Sequence, residues 1–379
     1  MRQRLPAFIG CFALAAVAAW TAPGPLAAQT PAAADATAQA YTPPRTPDGH
    51  PDLTGFYDVA TITPVERPAE YGNRLVMTDE EAAAIERYEV QRSQKDLEPS
   101  DPNRPAPPVG GDKSPTKSYL EGLFRAGGGV VGGYNLVWVN PGDRVVTVDG
   151  QRRTSLIVDP ADGKVPPLTP EARKRNAEFQ ARRVSPDAAE GSAGGPGAQY
   201  DGPEARPLAE RCLLGFSSTS GPPTLPNYFY NNLKQIVQTR DYVMILNEMV
   251  HDARIIRIGG SHPPAHIKKW MGDSIGRWEG DTLVVETTNF TNKTQFRGSG
   301  ENLKVIERFS RSGENTIHYR FTVEDPSTWD RPWTGEYPWV ATTEPLYEYA
   351  CHEGNYALEG VLRGARLLDA EAAAQKKKK

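Results

Sequence analysis

Short segments in which apolar and polar residues alternate dominate the chain from residue 51 onward, and this period of two predicts β-strands. They fall at residues 53–60, 134–140, 144–148, 155–159, 234–238, 242–248, 254–258, 282–290, 304–311, 316–323 and 336–342. Turn-forming sequences separate them, among them Pro160-Ala161-Asp162-Gly163, Trp278-Glu279-Gly280-Asp281 and Ser312-Gly313-Glu314-Asn315. Many short strands at this spacing predict a mainly β fold, an antiparallel barrel of lipocalin-like shape or a sandwich. In 316–323, Ile317, Tyr319, Phe321 and Val323 share one face, and Thr316, His318, Arg320 and Thr322 the other, which faces solvent. Residues 242–246 are apolar on both faces, which predicts a central strand covered on both sides. The polar run Asn247-Glu248-Met249-Val250-His251-Asp252 follows where such a strand leaves the core, a place where ligands bind in barrels.

Two segments have helical rather than strand character. Thr78-Asp79-Glu80-Glu81 forms a capping box before 82–92, and Thr169-Pro170 opens a second helix over 171–183 with proline at its first position. Both are strongly polar, so they belong on the surface. Residues 29–50, rich in Ala, Thr and Pro, read as a flexible lead-in, and 51–368 as a single β-rich domain. Insertions crowded with Pro, Gly, Ser and acidic residues interrupt the domain near 98–117 and 185–206, and 369–379 reads as a disordered basic tail ending in Lys376 to Lys379.

The N-terminus changes the expected compartment. Arg2 and Arg4 precede an apolar stretch from Ala7 to Trp20, and small residues surround Ala28, which together predict a secretory signal over 1–28. The stretch is too short to span a bilayer, so a periplasmic or secreted protein without a membrane span is expected. Acylation at Cys11 is a weaker alternative because too little apolar sequence precedes it. Loss of Arg2 and Arg4 with the signal takes the formal net charge from −4 to −6, which argues against a nucleic-acid partner. Of the 3 cysteines, Cys11 leaves with the signal. Cys212 and Cys351 then remain as a pair in an oxidising compartment and are expected to form a disulfide, a loop closure worth roughly 4–5 kcal/mol in the chain-entropy account. The competing use of Cys212, Cys351 and His352 as metal ligands lacks any CxxC or HxxxH spacing.

Several segments resemble a large family of secreted, functionally uncharacterised bacterial proteins common in acidobacteria and sphingomonads. They are Arg45-Thr46-Pro47-Asp48-Gly49-His50-Pro51-Asp52-Leu53-Thr54-Gly55, Leu156-Ile157-Val158-Asp159-Pro160, Glu210-Arg211-Cys212 and Glu248-Met249-Val250-His251-Asp252. Trp270-Met271-Gly272-Asp273-Ser274, Trp278-Glu279-Gly280-Asp281-Thr282-Leu283-Val284-Val285 and Cys351-His352-Glu353-Gly354-Asn355-Tyr356 extend the resemblance over nearly the whole mature chain. It implies secretion and a single folding unit, and no activity. The segment Leu213-Leu214-Gly215-Phe216-Ser217-Ser218 departs from the family pattern.

The residues that could carry chemistry are few. His352 and Glu353, next to a cysteine pinned by a disulfide, form an imidazole and carboxylate suited to acid–base catalysis. His251, flanked by Glu248 and Asp252, is the second such group, since a carboxylate on one ring nitrogen raises the basicity of the other. Each histidine could equally be structural, capping a strand end. Arg254 could grip a substrate carboxylate, or simply pair with Asp252. Asn231, Asn232, Tyr134, Trp278, Asn355 and Tyr356 supply amides and rings suited to sugars or aromatic ligands, though aromatics at strand ends often complete a core. A divalent metal shared by His251 and His352 with Glu248, Asp252 or Glu353 would need the fold to unite distant segments; otherwise no cofactor is implied. His262 and His266 have an i, i+4 interval, but Pro263 and Pro264 prevent the helix that would give it meaning. The GxGxxG match at 127–132 follows no strand and opens no helix, and Ser217 and Ser220 sit in no nucleophile elbow.

Two functions lead, and a third, an envelope structural module, would have no cavity at all. One is a periplasmic lyase or hydrolase using histidine and carboxylate acid–base chemistry on a polyhydroxylated, uronate-like or aromatic small molecule or an oligosaccharide. The other is a non-catalytic, lipocalin-like protein that binds a small apolar or aromatic ligand.

Overall fold

The computed structural model describes residues 41–96, 103, 122, 140–184, 200–215, 221–228, 230–294 and 296–377, all within one compact unit, Tyr41–Lys379. The expected signal segment, Cys11, most of both expected insertions, Tyr134, the glycine-rich 127–132, Ser217 and Ser220 lie outside the described residues.

Along the chain the strands and helices are β1 (Gly55–Asp58), β2 (Val76–Met77), α1 (Asp79–Asp96), β3 (Thr147–Val148), β4 (Gln151–Arg153), β5 (Ile157–Asp159) and α2 (Pro170–Val184). There follow β6 (Leu233–Gln238), β7 (Tyr242–Asn247), β8 (Ala253–Ile258), β9 (Asp273–Glu279) and β10 (Thr282–Thr288). The last are β11 (Lys304–Gly313), β12 (Thr316–Glu324), β13 (Trp333–Ala341) and α3 (Tyr356–Lys376). Strands β1 and β6 to β13 pair in the order β1-β6-β7-β8-β9-β10-β11-β12-β13, and β13 pairs back onto β1 to close a 9-strand barrel. Closure rests on Tyr57 opposite Ala341 and Asp58 opposite Val340. Strand β5 lies beside the other half of β13, and β2, β4 and β3 form a separate small sheet.

The barrel expectation holds, and the sandwich is excluded. One junction departs from the antiparallel pattern: β8 and β9 run parallel, with Ile256 opposite Ser274 and Ile258 opposite Gly276. A parallel pair needs a crossover, and residues 259–272 supply it.

Side-chain alternation places the core. Ile317, Tyr319, Phe321 and Val323 are each 0% exposed. Around them pack Tyr57, Phe309, Trp329, Trp333, Tyr337 and Trp339, all fully buried. Burying each such aromatic stabilises by about 1.5–3 kcal/mol, so the barrel interior is a filled core along much of its length. Room for it comes from Gly335, where a Cβ would collide with the Phe321 ring and lie 3.2 Å from the Leu156 carbonyl oxygen. β7 is not covered on both sides: Val243 and Ile245 point in, whereas Tyr242 is half exposed.

Both expected helix starts form. In α1 the Glu81 amide donates to Thr78 Oγ1 at 3.2 Å and the Thr78 amide to Glu81 Oε2 at 2.8 Å, a reciprocal capping box. In α2 the Ala172 amide donates to Thr169 Oγ1 at 3.1 Å. The expected disordered tail is instead the end of a helix, α3, which runs to Lys376 and contains no buried residue. Its Ala, Leu, Glu and Arg content favours helix even without packing. The lead-in is likewise tied down where it is described, by a bidentate Arg45–Asp281 pair at 2.8–2.9 Å and by His50 stacked on Trp278 with ring centroids 4.6 Å apart. Among the described residues no helix is long and apolar enough to cross a membrane.

Candidate functional site

At one end of the barrel β6 begins, β7 ends and β8 begins, and the polar run 247–252 makes the turn between the last two. The Asn247 amide donates to the Asp252 carbonyl at 2.8 Å, and Asn247 Nδ2 reaches the same oxygen at 3.2 Å. The turn is tight enough to force Val250 to φ 64° and His251 to φ 47°. Positive φ is strained for a β-branched residue. Glu248 locks the turn onto β6: its amide donates to the Leu233 carbonyl at 3.1 Å, and its Oε2 accepts the Leu233 amide at 3.2 Å.

Lys234 follows Leu233 and points into the barrel. It is 1% exposed and sits directly across the ladder from Asn247 on one side and Tyr57 on the other. Among the described residues its ammonium makes no hydrogen bond and no ion pair within 4.0 Å. Burial pushes its pKa down from 10.5 to about 8, and the charges of Glu248 and Asp58 only partly oppose that shift. The opposite Asn247 is 2% exposed, and among the described residues its Oδ1 accepts no hydrogen bond. Two buried residues directly opposed on adjacent strands and on the same inward face, Lys234 and Asn247, thus carry an amine and an amide oxygen that make no hydrogen bond among the described residues. Other buried atoms also lack a partner, the Nε1 of Trp329, Trp333 and Trp339 among them, but Asn247 lies opposite a buried lysine with a lowered pKa.

A second buried network shows what satisfaction looks like in the same interior. Glu307, 0% exposed, accepts both Arg254 terminal nitrogens, the NH2 contact at 3.1 Å, and the Tyr319 hydroxyl at 2.8 Å. Tyr319 in turn accepts the Thr224 amide at 3.0 Å, and the Tyr337 hydroxyl donates to the Thr224 carbonyl at 2.8 Å. Burial and the Glu307 charge push the Tyr319 hydroxyl well above its usual range. Residues 221–228 thus bond into the barrel interior through Thr224.

The expected site residues divide accordingly. Glu248, His251, Asp252, Arg254, Asn231 and Asn232 gather at this barrel end, as their sequence positions at strand termini suggest. Arg254 is corrected: it neither binds a free carboxylate nor pairs with Asp252, because Glu307 occupies it. Asn232 is structural. Its Oδ1 accepts the Asn227 amide at 2.7 Å, and its Nδ2 donates to the Asn227 and Asn140 carbonyls at 2.7 and 3.0 Å. Asn231, at φ 60°, offers its carbonyl to Asn227 Nδ2 at 3.1 Å. Trp278 lies toward the other end of the barrel, under His50.

The C-terminal candidates form a separate group. Cys212 and Cys351 are bonded across 139 residues. The next residues, His352 and Glu353, are exposed, and among the described residues no hydrogen bond or ion pair holds either side chain. The fixed geometry expected of His352 is therefore not provided. Asn355 Nδ2 donates to the Glu210 carbonyl at 2.6 Å, and Tyr356, 81% exposed, opens α3. His251 is also exposed, and nothing links its ring to His352. Among the described residues no group of three or more His, Cys, Asp or Glu side chains is placed to hold a metal ion, so the shared site drawn from His251 and His352 does not form.

Two polar features escape sequence reasoning. Lys234 was readable in principle, since a lysine at the same parity as Ile236 must face inward if Ile236 does. His262, whose interval to His266 forms no helical pair, has its Nδ1 2.9 Å from Asp273 Oδ2. Arg257 and Lys269 also bind that carboxylate at 2.8–2.9 Å. Burial opposes ionisation there, but these three partners hold Asp273 well below the usual carboxylate range. This hub anchors the 259–272 crossover to the outside of the barrel.

Compared with known proteins, the chain matches no family model, no curated protein and no solved structure.

Proposed function

We propose that the protein is an exported enzyme, a lyase or hydrolase, that performs acid–base chemistry on a small polyhydroxylated substrate at the barrel end around Lys234. The observation that carries this reading is a buried lysine, Lys234, whose amine makes no hydrogen bond among the described residues, directly across the ladder from Asn247 with its unpartnered Oδ1. An amine whose proton leaves near pH 8 exchanges protons efficiently at neutral pH, which an ordinary surface lysine does not. Glu248 and Asp58 supply the carboxylates nearest in electrostatic effect, and the strained turn at Val250 and His251 holds Glu248 in place. A neutral polyhydroxylated substrate fits better than a uronate, because Arg254, the cation expected to receive a carboxylate, is taken by Glu307. The apolar-ligand reading gains less support, since aromatic side chains fill much of the interior. The disulfide supports the exported location, and membership of the secreted family suggested by the sequence belongs to the same proposal.

The test is a turnover screen of the purified mature protein against oligosaccharides, uronates and aromatic ethers. Lys234→Met should lower turnover of the accepted substrate by about a hundredfold or more, the usual weight of a general acid or base. His352→Ala should leave it unchanged. Full activity in a folded Lys234→Met protein would refute the assignment.

A further inference from the structure

Lys234 has features that proton transfer alone does not require. Its nitrogen lone pair, once the proton leaves, is committed to no hydrogen bond among the described residues. The residue opposite it across the β6–β7 ladder carries a bare acceptor: Asn247 Oδ1 is buried and unpartnered among the described residues, while its Nδ2 donates to the Asp252 carbonyl. An acceptor opposite an amine suits a reaction in which a new hydroxyl appears beside that amine. Glu248 and Asp58 add negative charge around the site and disfavour an anion.

We propose that Lys234 captures the carbonyl group of a small polyhydroxylated aldehyde or ketone as an imine, with Asn247 Oδ1 accepting the hydrogen bond of the adduct's hydroxyl. This deepens the acid–base reading and rests on its placement of the site. The neutral amine attacks the carbonyl carbon, a C–N bond forms, and the carbonyl π pair moves onto oxygen, which takes the proton that nitrogen releases. The resulting carbinolamine takes up one proton and expels its hydroxyl as water while the nitrogen lone pair forms the C=N bond, and the iminium so formed returns that proton on becoming the imine. Amine and carbonyl give imine and water, so no oxidant or reductant is consumed. The imine withdraws electrons from the adjacent C–H or C–C bond, the activation a lyase needs before a base removes a proton. A depressed lysine pKa serves the same end by supplying neutral amine at neutral pH.

The experiment uses the folded mature chain with glyceraldehyde or dihydroxyacetone and cyanoborohydride, which reduces any imine to a stable secondary amine. Peptide mapping by mass spectrometry then compares Lys234 with the exposed Lys268 and Lys293. At pH 7, Lys234 should be modified about tenfold faster than either, because its neutral fraction is larger even after its lower nucleophilicity is counted. The rate at Lys234 should rise with a midpoint near pH 8, and Asn247→Ala should slow it while leaving the surface lysines unaffected. Labelling of Lys268 and Lys293 with Lys234 untouched in the folded protein would overturn the proposal. Turnover lost in Lys234→Met without any adduct at Lys234 would overturn the imine alone and leave proton transfer standing.

Discussion

Replacing Lys234 by methionine should stabilise the protein. Methionine approximates the length and volume of the lysine stem and stands in for the neutral amine, so the comparison isolates the charge. With the pKa at about 8 in the folded chain against 10.5 as the ordinary value, and about 1.4 kcal/mol for each pH unit, keeping the ammonium buried costs about 3 kcal/mol below pH 8. The sign follows from proton counting. Between about pH 8 and 10.5 the unfolded chain holds a proton that the native amine has released, so native stability rises with pH across that window. Above 10.5 the penalty is gone. Urea midpoints of the two proteins should therefore favour Lys234→Met by about 2–3 kcal/mol at pH 7, allowing for imperfect packing, and converge toward pH 10.5. Common contributions cancel because both chains titrate alike elsewhere. A loss of stability of 2 kcal/mol or more (about the size of a broken buried pair) in Lys234→Met at pH 7, with no convergence at high pH, would show that the ammonium is satisfied in the native state and would refute the reasoning.

Three further outcomes follow from the packing and the charges. Glu307→Gln leaves the buried Arg254 guanidinium without a counter-charge and should cost about 3–5 kcal/mol in chemical denaturation, while Arg254→Met with Glu307→Leu should recover most of that loss. Gly335→Ala drives a methyl group into the Phe321 ring and should lower stability by about 1–3 kcal/mol, measured by thermal melting; an unchanged melting temperature would mean that β13 shifts freely against β12. Although burial pushes the Glu336 carboxyl up, His318, Arg153 and Arg320 hold it at about 2. Its contribution is therefore complete above pH 4.5 and lost as pH falls toward 2, so Glu336→Gln should be less stable than the parent at pH 6 and no less stable at pH 2.

The legibility of the fold followed the range of the interactions that set it. Thr78, Glu81 and Thr169 cap helices through residues three positions away, and the sequence pattern contained everything needed to place them. Alternation in β12 foretold its buried face because period-two burial is a local property. Strand β9 is hard to read because Ile275 and Trp278 are its only apolar side chains and Gly276 lies between them, yet the inward Gly276 is required by contact: a Cβ there would lie 3.0 Å from Ile256 and from Ile258 across the parallel junction. Helix α3 was obscured by the Cys-His-Glu motif at its start, although Leu358, Val361, Leu362, Ala365 and Leu368 keep a helical spacing. The Arg254–Glu307 pair spans 53 residues and several strands, so only the closed barrel reveals that the arginine expected to bind substrate is already engaged.

That contrast bears directly on Lys234. Among the described residues Arg254 and Lys234 are both inward cations on neighbouring parts of one sheet, and their surroundings differ. Arg254 receives a carboxylate on both terminal nitrogens, and that carboxylate is further fixed by a tyrosine hydroxyl anchored on Thr224. The fold is evidently able to neutralise a buried cation. Lys234 receives no such partner, although Glu248 is close enough to raise its pKa and spends its Oε2 on the Leu233 amide instead. A sequence selected for stability alone would place an apolar residue at this position, since Ile236 fills the next inward site on the same strand and an aliphatic side chain packs there without penalty. Proteins that break a packing rule of this kind commonly do so at functional sites. The destabilised amine, and not the exposed histidines, is for that reason the group on which the functional assignment rests.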